Sequence, residues 1–133
     1  MKPQHLALLV GLSLSAFTNN VLASQADNAK AAFSTAYQSY LNAVETKHNI
    51  EQAAKQAYIT GLNFYGDKSD NTANLAINYA KAITPPSTTS SKKNIRQQRY
   101  SLYSQAYTIL ADNHGKNSIQ TLDALLGLSL IHI

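Results

Sequence analysis

The sequence predicts an all-α protein made of antiparallel helical hairpins stacked one on the next. Apolar residues recur at steps of three and four along nearly all of the chain beyond residue 26, which is the period of a helix with one buried face. No useful stretch alternates apolar and polar with period two, and glycine and proline fall at the ends of the periodic segments, where they stop helices. About five helices follow from that pattern.

The elements can be taken in order. Met1 to Ala23 has Lys2 near its start, an apolar run from Leu6 to Phe17, and Val21-Leu22-Ala23 where a signal peptidase reads small residues. This order is that of a secretory signal peptide spanning residues 1–23. The apolar run is about a dozen residues, short of the ~20 that a helix needs to cross a bilayer. No membrane span is expected after cleavage. The mature domain is residues 24–133.

Helix one is predicted from about Asp27 to Thr46, with Ala29, Ala32, Phe33, Ala36, Tyr37, Tyr40, Leu41 and Val44 on its stripe. Helix two carries Ile50, Ala53, Ala57, Gly61, Leu62 and Tyr65, with Asn49 as N-cap and Gly66 as C-terminal glycine. Only Lys47 to Asn49 connect them, so they are neighbours. Helix three has Ala73, Ala76, Ile77, Ala80 and Ile83, capped by Ser69-Asp70-Asn71 and stopped by Pro85-Pro86. Ser87 to Lys93 reads as a polar connector. Helix four holds Ile95, Arg99, Leu102, Tyr103, Ala106, Tyr107 and Leu110, ending near His114-Gly115. Helix five starts near Ser118 and runs through Ile119, Leu122, Leu125 and Leu126.

A shift of 49 residues lays Gln56-Ala57-Tyr58 on Gln105-Ala106-Tyr107, Gly66 on Gly115, Ser69 on Ser118 and Thr72 on Thr121. Matches in one ungapped register, at the points where one helix ends and the next begins, indicate a duplicated hairpin. Ala57 and Ala106 are small enough for two helices to approach closely.

Helix pairs with an Ala followed by Tyr, and a turn such as Tyr65-Gly66-Asp67-Lys68-Ser69 opening an Ala/Leu-rich helix, resemble tetratricopeptide repeats of the kinesin-light-chain-like variety. The resemblance implies a short solenoid with units at about 27–66 and 71–115, and a third unit, 118–133, lacking its second helix. It also implies a binding role for the concave face. The family's early Trp is absent, its closing Pro does not follow either second helix, and the 49-residue spacing exceeds the usual period of about 34. The excess falls in Pro85 to Lys93. A weaker likeness is to exported repeat regions that precede a TonB-type energy-transducer domain in Gram-negative bacteria. That likeness implies a periplasmic or secreted setting.

Composition narrows the chemistry. The chain has no cysteine, so it has neither a lipoprotein acceptor nor a disulfide. Cleavage removes one of the 11 Lys and Arg, Lys2, and none of the seven acids, leaving ten against seven. A balance this mild does not call for nucleic acid, and none is expected as partner. Asp67 to Asn71 places oxygen side chains as a calcium loop does, but Thr72 and Asn78 stand where Gly and Glu are needed, so capping accounts for it better. His5, His48, His114 and His132 have no ligand-spaced companion. No metal, cofactor or catalytic set is expected, and neither a nucleophile elbow nor a phosphate loop occurs.

Two groups remain as candidate partner-binding residues. Lys92, Lys93, Arg96 and Arg99 cluster with Tyr100 and Tyr103 at the start of helix four, where positive charge opposes the helix dipole. A solvated face explains them too; as a site they suit an acidic protein, an anionic head group or a cell-wall polymer. Tyr40, Tyr79 and Tyr100 read first as core, and second as lining of a concave binding face.

Ile131-His132-Ile133 closes the chain within an apolar helix, with no cap or polar outer face, and Leu128 to Ile133 resembles translated sequencing-adapter read-through. A fragment is expected, open at this helix and prone to self-association. The function expected is an exported scaffold for protein–protein interaction. The alternative is the substrate-docking part of a larger enzyme or energy transducer. Export gives the first test: the mature protein should begin at or near Ser24, and N-terminal sequencing that returns Met1 from protein recovered outside the cytoplasm contradicts it.

Overall fold

The computed structural model describes residues 12–83 and 89–131, with the side chains of 12–21 and 89–91 not described. Among the described residues five α-helices follow in order: α1 (Leu12–Thr46), α2 (Ile50–Tyr65), α3 (Asp70–Ala82), α4 (Thr89–His114) and α5 (Leu122–Ile131), the last preceded by a 3-10 turn, Ile119–Thr121. No strand occurs among the described residues. Substantial helix packing joins α1 to α2, α2 to α3, α3 to α4 and α4 to α5. The chain folds back on itself at each turn and makes a repeat-like, all-α array. Residues 1–11, Pro85-Pro86, Ser87 and the last two residues lie outside the described part.

α1 begins at Leu12, well ahead of Asp27. Nothing between Leu12 and Thr46 is glycine or proline, so no residue stops the helix from propagating through the expected cleavage point. Its stripe is also set differently. Phe33, Ala36, Tyr37 and Tyr40 are half-buried and Ala43 is buried, but Ala32, Leu41 and Val44 are exposed. With α2 as its one substantial neighbour, α1 covers a narrower face than its apolar pattern spans.

The α1–α2 turn closes without glycine. Lys47 and Asn49 both take positive φ, 56° and 55°, and the His48 amide donates to the Ala43 carbonyl at 3.1 Å. This is the long bond of a Schellman ending, with Lys47 where glycine is usual. Asn49 is in the N-cap position, but its side chain makes no capping bond; its left-handed backbone serves the turn instead.

The α2–α3 and α4–α5 corners match across the 49-residue shift. Gly66 and Gly115 have φ of 86° and 95°, and their amides donate to Leu62 and Ala111, also 49 apart, at 2.9 and 2.8 Å. Ser69 and Ser118 are extended N-caps. The Ser69 hydroxyl accepts from the Asn71 amide at 3.1 Å, whereas Ser118 makes no side-chain capping bond. Thr72 and Thr121 are fully buried, and their hydroxyls donate to turn carbonyls, Gly66 at 2.5 Å and Ser118 at 2.7 Å. A buried hydroxyl without such an acceptor is costly, so each threonine holds its corner closed.

α4 starts at Thr89, and Thr89 to Lys93 is helix rather than connector. The segment from 89 to 94 has no apolar residue for periodicity to register, yet no helix breaker either. α5 differs in its facing. Thr121, Ala124, Gly127 and Ile131 are buried, while Ile119, Leu122, Leu125 and Leu126 point outward. The side with the smaller residues approaches α4, because Gly127 sits against the Tyr103 ring too closely for any Cβ.

Candidate partner-binding site

α4 supplies the basic cluster by helical spacing alone. Lys93, Arg96, Gln97 and Tyr100 stand at i, i+3, i+4 and i+7, on one face, and with Ile131 of α5 they line an open groove of about 320 Å³. Lys92, Lys93 and Arg96 are exposed, and Arg99 is half-buried with its buried Nε lacking a hydrogen-bond partner. Ion pairs among the described residues join Lys81 to Asp123 at 3.5 Å and His114 to Asp70 at 2.5 Å. The four cations of α4 take part in neither. Tyr100, 45 % exposed, gives the groove an aromatic wall. An anion entering it would meet positive charge beside apolar surface.

Tyr40 and Tyr79 are elsewhere. Tyr40 packs on the core from α1, with its ring 6.0 Å from that of Tyr37, and burial, then the Tyr37 neighbour, raises its phenol above the usual value of 10.0. Tyr79 of α3 is buried, its ring 6.0 Å from Tyr58, and its hydroxyl accepts from Gln98 Nε2 at 2.8 Å. Burial, then the Glu51 charge, raises it as well, against the Gln98 bond. Tyr79 is thus mainly a core ring whose hydroxyl ties α3 to α4. It also edges a second, polar groove of about 910 Å³ with Lys47, Glu51, Lys55, Lys81 and Gln98. Three helices and the α1–α2 turn build that groove, so spacing along any one helix gives no sign of it.

Sequence reasoning also missed a polar latch. Asp70, at the start of α3, accepts from Asn113 Nδ2 at 2.8 Å and meets His114 Nε2 at the end of α4; Asn113 donates to the Lys68 carbonyl as well, at 2.9 Å. The partners are more than 40 residues apart, and only the hairpin brings them together. At the repeat-equivalent places in the α1–α2 hairpin the residues are Phe64 and Tyr65, which pack on Phe33 with centroids 6.1 and 5.1 Å away. One corner is closed by aromatic contact and the other by hydrogen bonds. Among the described residues no three His, Cys, Asp or Glu side chains converge as metal ligands, and no helix is long and apolar enough to cross a membrane.

Compared with known proteins, the chain matches no family model, no curated protein and no solved structure. Its functional reading therefore rests on its own residues.

The latch has a pH signature. Hydrogen bonds from Asn113, then His114, hold the Asp70 carboxyl below its ordinary 3.8, against partial desolvation. The stability this adds is complete above the ordinary carboxylate range and is lost as pH falls below it. Because the pair is partly exposed, the effect is modest. Asp70→Asn should be less stable than wild type at neutral pH, with the difference shrinking in acid. Denaturant midpoints measured for both across that range check it, and a gap independent of pH contradicts it.

Proposed function

We propose that this chain is an exported helical-repeat scaffold that holds an acidic protein or peptide partner and carries out no catalysis itself. The observation that carries the reading is the α4 groove, where Lys93 and Arg96 stand exposed beside Tyr100 and Ile131 and outside the ion pairs of the described residues. With α4 beginning at Thr89, Lys93 and Arg96 lie past its first turn, clear of the helix dipole, and present exposed positive charge that attracts an anionic partner. A tyrosine wall adds contact area at small entropic cost. The stacked hairpins support the reading, since arrays of tetratricopeptide type bind extended segments along their surface.

Export is the other half of the proposal. It is supported by the order of Lys2, the Leu6 to Phe17 run and Ala23, and it gives a periplasmic or secreted protein in which α1 keeps its length from Ser24 to Thr46. Such a helix still reaches every α2 partner named above.

The test is binding of a short fluorescent peptide alternating Glu and Leu, followed by anisotropy. Wild type should bind it, more weakly when salt rises from about 50 to about 500 mM as screening shortens the reach of each charge. The double substitution Lys93→Gln and Arg96→Gln should weaken binding about tenfold or more, while Lys47→Gln should not. Equal affinity for both variants, or no binding at low salt, refutes the assignment.

A further inference from the structure

The polar groove that Tyr79 edges shares no lining residue with the α4 groove, and its charges are arranged differently. Lys47, Lys55 and Lys81 line it together with one carboxylate, Glu51. Glu51 and Lys55 stand on successive turns of α2, in the order that favours a pair along a helix. They do not pair here, since the ion pairs among the described residues join Lys81 to Asp123 and His114 to Asp70. Glu51 is therefore an unengaged acid with an unengaged base four residues to either side of it.

The same groove contains one fixed donor. Tyr79 is 6 % exposed, its oxygen accepts from Gln98 Nε2 at 2.8 Å, and among the described residues no group accepts its hydrogen. Burial, then the Glu51 charge, keeps the phenol protonated, so that hydrogen is there to be donated. A buried tyrosine hydroxyl usually finds a partner, and an acceptor entering the groove supplies it. The amides of Asn49 and Gln52 lie alongside, and the Asn49 side chain is not spent on capping α2. Polar groups from three helices and a turn that converge on one concave surface are what a small-ligand site requires.

We propose that this groove binds a small amino dicarboxylate, a molecule with two carboxylates and one ammonium. Three lysines against one glutamate call for an anion. A carboxylate can accept the Tyr79 hydrogen beside a lysine ammonium, and such charge-assisted bonds are stronger than neutral ones. Glu51 selects within the anions. It repels a plain dicarboxylate at close range, whereas an ammonium set between two carboxylates complements the order Lys47, Glu51, Lys55. A groove this open leaves room for bridging water, which serves nearly as well as direct contact.

Titration of the intact chain with L-glutamate, followed by amide chemical shifts, tests this, with glutarate, which lacks the amine, as the comparison. The backbone amides from Asn49 to Lys55 and the side-chain amide of Gln98 should shift saturably, and at lower concentration with glutamate than with glutarate. Tyr79→Phe should weaken glutamate binding about tenfold, as expected for one hydrogen bond to a charged group. Lys55→Gln should weaken both ligands, and Glu51→Gln should abolish the preference for glutamate, which a loosened fold would not do. Lys30→Gln, exposed on α1, should change nothing. No saturable shift, binding that survives both Tyr79→Phe and Lys55→Gln, or a wild type indifferent to the amine overturns the proposal, and each leaves the α4 groove untouched because the two sites share no residue.

Discussion

Everything in this fold depends on how closely its helices approach, and small residues set that distance. A Cβ on Gly61 of α2 would run into Leu75 of α3 and stand 3.3 Å from the Phe33 ring of α1. A Cβ on Gly127 would enter the Tyr103 ring. Ala54, Ala57, Ala73, Ala76, Ala80, Ala106 and Ala124 are all buried. Such residues contribute little apolar area each, but they let neighbouring backbones come near the short end of the 8–10 Å range for packed helices. The larger volume is filled by tyrosine. Tyr58 donates to Gln105 at 2.6 Å and Tyr79 accepts from Gln98, so rings that fill the core also fix α2 and α3 against α4 without leaving a phenol unsatisfied.

Close approach in turn demands sharp corners. Gly66 and Gly115 leave their helices through positive φ that a side chain would resist, and the buried threonine beyond each bonds back to the turn. The two corners share this frame and differ in what closes it from outside. Asp70, Asn113 and His114 close the second hairpin with polar contacts where Phe64 and Tyr65 pack on Phe33 in the first.

Much of this was legible in the sequence for a simple reason. Helix ends are marked by local residues, and Gly66, Ser69, Ile83 and Gly115 lie where the chain turns. The 49-residue correspondence of the two corners was legible because the matching residues are the ones the corner geometry requires. Facing was less so. Leu41, Val44 and Leu122 are apolar on helices with one substantial neighbour, and periodicity reports apolar residues without saying whether a partner is present to cover them. Glycine at 127 reads as a weak helix former, and only Tyr103 across the contact explains it. The candidate site divided in the same way. Lys93, Arg96 and Tyr100 come together because one helix carries them, whereas Ile131 of the same groove, the Tyr79–Gln98 bond and the Asp70 latch each join distant segments that no spacing links.

The α4 groove, the outward face of α5 and the Asp70 latch all hang on the same close-packed hairpins, so the packing is the claim to test. Ala57 and Ala106 are repeat equivalents, both buried to within 1 %. The most direct measurement is the equilibrium unfolding free energy of Ala57→Leu and Ala106→Leu beside the exposed control Ala31→Leu. Overpacking should cost on the order of 1–3 kcal/mol at each of the first two and leave the control nearly unchanged. Losses below a few tenths of a kcal/mol at both positions would contradict the account, since a helix array with room for leucine there is not held by close approach.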